Sequence, residues 1–175
     1  MYEKFGQFID GKWSASQDKS TYKVINPATE EVLGHASKAT SADVERALKS
    51  SEQGLHVWKK TPPWQRSYIL RKIADKMREK KDLLAKWMTL ENGKPLAEGV
   101  GETNGAADIF EWNAEETKRI YGQTVESRFE DTRVHVYYQP VGVVAALSPW
   151  NFPLILAARK ISTALAAGCS VIIKP

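Results

Sequence analysis

Three polar side chains near the C-terminal end of the chain have types and spacing that could do chemistry. The first is Asn151, in the hexapeptide SPWNFP (148–153), directly after the apolar run VGVVAAL (141–147). A surface turn normally draws small polar residues, yet here two prolines and two large aromatics surround one carboxamide. Asn151 could cap the helix that follows, make a local side-chain turn, or donate its N–H₂ to an oxyanion developing on a substrate. Pro153 at a first helical position makes Phe152 the natural cap and leaves Asn151 one residue outside. The flanking rings would exclude water, which strengthens such a donor and favours the third role. The second is Lys174, 23 residues on. It reads either as a solvated lysine leaving a strand or as a donor to the hydroxyls or phosphates of a bound nucleotide. The third is Arg159, about two helical turns from Asn151. Its planar fork could clamp a carboxylate, or it could belong with Lys160 to the wet face of the helix. Cys169, the only cysteine, lies between a helix stop and an apolar strand. It reads as a small buried hydrophobe and not as a nucleophile.

These residues need a frame, and the pattern around them supplies one. VGVVAAL is apolar at every position, as in a parallel strand covered on both faces. Pro153 opens a helix over 153–167, Gly168 ends it, and SVIIK (170–174) forms a second buried strand. Fifteen helical residues span about 22 Å and an eight-residue strand about 26 Å, so the helix can return the chain to begin a parallel neighbour. Asn151 and Lys174 then fall on one rim, the carboxyl ends of two adjacent strands. Ligands bind along that edge in open α/β sheets. Cys169 falls on the opposite rim.

Upstream, FGQFIDGKW (5–13) has Asp10-Gly11 between two short apolar segments, a hairpin signal. YKVINPATEEVLGHAS (22–37) reads as two strands around a turn begun by Asn26-Pro27. Three helices follow. The first is capped by Thr40, with Asp43 completing a capping box and Val44, Leu48, Leu55 and Trp58 on one face. The second runs through 61–93, with Thr61 as cap, Pro62 in the first position, Ile69, Ile73, Met77, Leu84 and Trp87 facing inward, and Gly93 as the stop. The third starts near Pro95 and carries one stripe: Leu96, Val100, Thr103, Ala107, Phe110, Ala114, Thr117 and Tyr121. Gly99, Gly101 and Gly105 weaken its start; they either admit a neighbouring backbone or mark a frayed end. QTVES (123–127) and TRVHVYYQP (132–140) read as a hairpin suited to edge pairing with another subunit.

Composition narrows the class. The 175 residues are 42% apolar and 26% charged, ordinary for a soluble globular protein. No apolar run approaches the ~20 residues of a bilayer span, and MYEKFGQFIDGKW has no signal-peptide core. A single cysteine points to a reducing compartment, the cytoplasm. Residues 59–86 hold ten basic and three acidic residues. Their helical spacing reads as the solvated face of an amphipathic helix and not as a nucleic-acid surface. No membrane or nucleic-acid partner is expected.

SPWNFPLILAARKISTALAAGCSVIIKP (148–175) resembles the aldehyde dehydrogenase superfamily. So do FIDGKW, NPATEEVLG and LENGKPLAE (90–98); FEWNAEETKRIYG (110–122) and ALAAGCS are most similar to succinate-semialdehyde dehydrogenases. The likeness covers essentially the whole chain. It implies an α/β fold made of the N-terminal part of such an enzyme: small β elements, three helices, an oligomerisation hairpin, then the first βαβ unit of a parallel Rossmann-like sheet. Residues 1–122 would form the N-terminal β/helical part of the cofactor-binding domain, 123–140 the hairpin, and 141–175 the start of the sheet. By resemblance, Asn151 stabilises the oxyanion of a thiohemiacetal. Ser148, Pro149, Trp150 and Lys174 contact NAD or NADP, Phe152 lines the substrate tunnel, and Arg159 holds the carboxylate of an ω-carboxy aldehyde such as succinate semialdehyde. The reaction implied is thiolate addition, hydride transfer to nicotinamide and thioester hydrolysis, in a homodimer or homotetramer.

The departures from the family pattern are the nucleophilic cysteine, the general-base glutamate and the glycine-bearing pyrophosphate turn, none of which occurs in these residues. The expectation is therefore the N-terminal portion of an enzyme. The alternative is a truncated or non-catalytic binding or structural protein with the same fold. Two parallel strands do not make a stable sheet alone, so a polypeptide ending at Pro175 is expected to be insoluble or partly unfolded.

Overall fold

The structure is a computed structural model and describes residues 6–175. Phe5, the first residue of the expected N-terminal hairpin, lies outside the described residues. The remainder of that hairpin is present: β1 (Gln7–Ile9) pairs antiparallel with β2 (Lys12–Ser14). Asp10 and Gly11 both take positive φ, 54° and 71°, the conformation a two-residue hairpin of matching twist requires. β3 (Thr21–Ile25) and β4 (Val32–Ser37) form a second antiparallel pair with a register shift at Val24/Ile25. The Asn26 side chain accepts from Ala28 N–H at 3.0 Å and sets the intervening turn.

Helix α1 (Ser41–Trp58) begins with the capping box expected from sequence, Thr40 and Asp43 each bonding the other's backbone N–H. Its buried face differs from the expectation. Val44 and Leu48 are exposed and Asp43 is buried. The Asp43 carboxylate also accepts from Gln17 N–H and pairs with Arg46. These bonds fix the roll of the helix, so the face containing Asp43 turns inward and Val44 turns out.

The second expected helix is two. α2 (Pro63–Glu79) and α3 (Lys81–Asn92) are separated at Lys80, whose φ of −102° and ψ of 15° leave the helical region. Among the described residues four helices, not three, therefore precede the βαβ unit. The N-cap is Pro62, without a side-chain bond; the Thr61 hydroxyl instead donates back to Val57 O. Leu70, Ala74, Ala85 and Met88 are the buried apolar residues, each one along from the expected Ile69, Ile73, Leu84 and Trp87, which are half-buried. α4 (Leu96–Thr117) follows the expected stripe in its middle. Thr103, Ala107, Phe110, Ala114 and Thr117 are buried, while Leu96 and Tyr121 at the ends are exposed. α4 is the central helix, packing on α2, α3 and α5 (Pro153–Ala166). The core is Leu70 and Ala74 of α2, Ala106, Ala107, Phe110 and Ala114 of α4, and Ala158 and Ala166 of α5. Small residues at these crossings allow close helix approach.

β5 (Gln123–Glu126) and β6 (Arg133–Val136) make the expected antiparallel hairpin. β7 (Val143–Leu147) and β8 (Ser170–Lys174) pair in parallel across α5, with Val143 opposite Ser170 and Leu147 opposite Lys174. Trp58 Nε1 donates to Leu165 O at 2.8 Å, tying the end of α1 to the end of α5. Two arginines of the basic 59–86 stretch pair with acids of α4. Arg71 bonds Glu111 and Glu115, and Arg78 bonds Asp108 at 2.7 Å and Glu111 at 2.6 Å. No helix among the described residues is long and apolar enough to cross a membrane.

Candidate functional site

The parallel register decides the geometry of the site. Leu147 and Lys174 are partners at the carboxyl ends of β7 and β8. Ser148 N–H then donates to Lys174 O at 3.1 Å and carries the pairing one residue further. SPWNF (148–152) therefore leaves the sheet beside Lys174, on the border where the sequence places both. Cys169 is buried at the other border, before β8, and is a free thiol.

Phe152 is the N-cap of α5, with φ −134° and no side-chain cap bond, and Pro153 occupies the first helical position. Asn151 is thus relieved of capping. Its side chain makes no hydrogen bond to the described residues, while its backbone carbonyl is held. The local-turn and capping roles are both absent. The water exclusion expected from the aromatics is not made by these residues: Trp150 is 80% exposed, Phe152 47%, and Asn151 is exposed beside them. The loop is gripped through its backbone, and of its two rings Trp150 is the more exposed.

Lys174 is exposed and its ammonium donates to Pro175 O at 2.9 Å. The Ser148 hydroxyl is buried and has no hydrogen-bond partner. An unpaired buried hydroxyl is uncommon and calls for a partner. A hydroxyl-rich ligand at this border could satisfy it and meet the lysine, so the residues present fit a dinucleotide. Arg159 is exposed on α5 and forms no ion pair among the described residues. Its carbonyl accepts from Thr163, an interaction that leaves the guanidinium open to a carboxylate. Among the described residues no cluster of His, Cys, Asp or Glu could hold a metal ion.

The grip on the loop comes from residues that the sequence did not single out. Asn92 Nδ2, at the end of α3, donates to Trp150 O at 2.8 Å. Lys94 Nζ donates to Asn151 O at 3.1 Å and lies 4.6 Å from the centre of the Phe152 ring. Glu102 of α4 pairs with Lys94 through Oε2. Its Oε1 accepts from the N–H groups of Leu154 and Ile155 at 2.8 and 3.1 Å. This carboxylate satisfies two donors of the first turn of α5 and faces the positive end of that helix. Both members of the pair are enclosed, with side chains 6% and 1% exposed. Lys94 and Glu102 are eight residues apart, with Lys94 outside any helix, so no periodic signal marks them. The one available sign is a lysine and a glutamate flanking a glycine-rich helix start.

The model of the aldehyde dehydrogenase family matches residues 13–175. The glutarate-semialdehyde dehydrogenase of Pseudomonas aeruginosa is 44% identical over 168 residues, which is 96% of this chain and 35% of the relative. The succinate-semialdehyde dehydrogenase (NADP(+)) of Escherichia coli is 42% identical over 167 residues, 95% of this chain and 35% of the relative. Among solved structures, a double mutant of betaine aldehyde dehydrogenase from Staphylococcus aureus in complex with NAD+ superposes with a TM-score of 0.94 at 36% identity. That match covers 97% of this chain and 34% of the other. The chain thus spans about 35% of the length of the curated relatives it matches.

Proposed function

Since the chain belongs to the aldehyde dehydrogenase family, we propose that it serves an NAD- or NADP-dependent enzyme that oxidises an ω-carboxy semialdehyde, such as succinate semialdehyde, to the acid. The observation that carries this reading is the parallel pairing of Leu147 with Lys174, which sets SPWNF and Lys174 along one sheet border. In this reading residues 1–122 and 141–175 build the cofactor-binding side of the enzyme. The β5–β6 hairpin in 123–140 joins subunits into a dimer or tetramer by edge pairing. The setting is the cytoplasm, in keeping with a single free thiol.

Each residue then has a stated task. Lys174 donates to ribose hydroxyls of the dinucleotide, and Ser148, Pro149 and Trp150 line its path, the buried Ser148 hydroxyl gaining the partner it lacks. The dinucleotide, when bound, supplies the hydride acceptor. Asn151 offers its N–H₂ to the oxygen of the aldehyde as negative charge grows there. The task demands an amide with no other engagement, and Asn151 is uncommitted. Phe152 borders the aldehyde's approach. Arg159, one face of α5 further along, takes the distal carboxylate through two parallel hydrogen bonds. Cys169 is buried at the wrong border and takes no part.

The test is kinetic, in the enzyme that carries this chain. Asn151→Ala should lower kcat roughly a hundredfold to a thousandfold, the usual loss for one oxyanion donor; unchanged kcat removes Asn151 from that role. Arg159→Leu should raise KM for succinate semialdehyde far more than for an uncharged aldehyde of similar length. Equal losses on both substrates would make Arg159 a structural residue.

A further inference from the structure

The active-loop residues are exposed, yet their backbone is fastened by four side-chain bonds from behind: Asn92 to Trp150 O, Lys94 to Asn151 O, and Glu102 to the amides of Leu154 and Ile155. We infer that the buried Lys94–Glu102 pair is the positioning device for Asn151, fixing the direction in which its amide is presented. This inference rests on the reading of Asn151 as an oxyanion donor.

The argument is geometric. A carboxamide with two side-chain torsions and no hydrogen bond of its own can be aimed only through its backbone. Its carbonyl belongs to the peptide unit joining Asn151 to Phe152. Holding that oxygen at one end, and the amides of Leu154 and Ile155 at the other, leaves the intervening residues little freedom. Lys94 holds the near end of the span twice, through Asn151 O and through the face of the Phe152 ring. Glu102 links the two attachments, since one oxygen meets Lys94 and the other meets α5. An ammonium suits the lysine position because it has three donors and can serve the carboxylate and the carbonyl together. The pair is too enclosed to reach a ligand, so neither member is a catalytic residue. Charge is not required for packing alone: a buried pair is often no more stabilising than apolar residues of similar volume.

The experiment uses the intact enzyme. Lys94→Met alone leaves a buried carboxylate without its partner and risks misfolding. The variant to make is therefore Lys94→Met/Glu102→Gln, in which the glutamine oxygen still accepts from Leu154 and Ile155 but the donor to Asn151 O is gone. kcat, KM for the cofactor and KM for the aldehyde are measured in the wild-type and Asn151→Ala backgrounds. We expect kcat to fall about tenfold or more in the wild-type background, the scale of a small misplacement at a reacting centre. The KM for the cofactor should be unchanged, and no further loss should occur in Asn151→Ala. Wild-type kcat, or an equal loss in both backgrounds, overturns the inference while leaving the Asn151 reading intact. If Asn151→Ala itself keeps full kcat, that reading falls, and amide hydrogen exchange in Glu102→Ala judges the positioning separately. Exchange at least tenfold faster across 150–156, with α2 unchanged, supports it; unchanged exchange in that segment overturns it.

Discussion

Replacing Gly99 by alanine should weaken the protein, and making the same change two residues later, at Gly101, should strengthen it. Both glycines lie in α4, and each carries the intrinsic penalty of glycine in a helix, about 1 kcal/mol relative to alanine. Their surroundings differ. A Cβ on Gly99 would meet Ala85 O at 3.0 Å, Ala85 Cα at 3.1 Å and Ala85 Cβ at 3.3 Å. Two of these are main-chain atoms of α3, which cannot swing aside as a side-chain tip would. Overpacking of this kind costs about 1–3 kcal/mol, and an obstructing backbone puts the figure in the upper half. After the propensity gain, a net loss of about 1–2 kcal/mol remains. At Gly101 nothing lies within 4 Å of the added carbon, so the propensity gain of about 1 kcal/mol stands alone. The two variants should differ by about 2–3 kcal/mol. At roughly 2–4 °C per kcal/mol for domains of 150–250 residues, their melting temperatures separate by roughly 4–12 °C. Thermal melts followed by circular dichroism read this directly. If Gly99→Ala melts at or above the wild type, α3 and α4 are not in close contact at Ala85 and the reasoning is refuted.

Two further outcomes concern the frame, and both use the same melts. Hydrogen bonds from the Thr40 backbone, with further ones from the Thr40 hydroxyl, Gln17 and Arg46, hold the Asp43 carboxyl well below the usual carboxylate range. A carboxyl lowered on folding contributes stability above its unfolded value of about 4 and loses it as pH falls through the lowered native value. The wild type should therefore lose melting temperature more steeply below about pH 4 than Asp43→Asn; parallel pH profiles would show that the carboxylate contributes nothing. Trp58→Phe keeps an aromatic side chain but removes the pyrrole part of the indole and with it the donor to Leu165 O, at a cost of at least about 1 kcal/mol. An unchanged melt would show that water replaces the indole there.

Much of this arrangement was legible because its signals are local. Asp10-Gly11 specifies a hairpin by what its φ angles demand, Thr40 and Asp43 specify a helix start by reciprocal bonds, and Pro153 specifies which residue caps α5. The parallel βαβ unit followed from an apolar strand, a helix of matching length and another apolar strand, and it brought Ser148 and Lys174 to one border. What escaped depends on contacts distant in sequence. The break at Lys80 carries no glycine or proline, so periodicity ran through it. The roll of α1 is set by Gln17 bonding Asp43, 26 residues away, against the apparent apolar face of Val44 and Leu48. The acids opposite Arg71 and Arg78 sit on α4, invisible in a count of charges between 59 and 86. The supports beneath SPWNF are of the same kind, since Lys94 and Glu102 become neighbours of Asn151 only when α4 packs on α5.

That last arrangement bears on how members of this family can be recombined. The hexapeptide looks like a portable motif, yet its backbone is anchored to the stretch between Asn92 and Glu102. A chimera joined anywhere between Glu102 and Ser148 would take its loop from one parent and its foundations from the other. Functional hybrids should therefore come from junctions before Asn92 or after Ile155, where both halves of the support are inherited together.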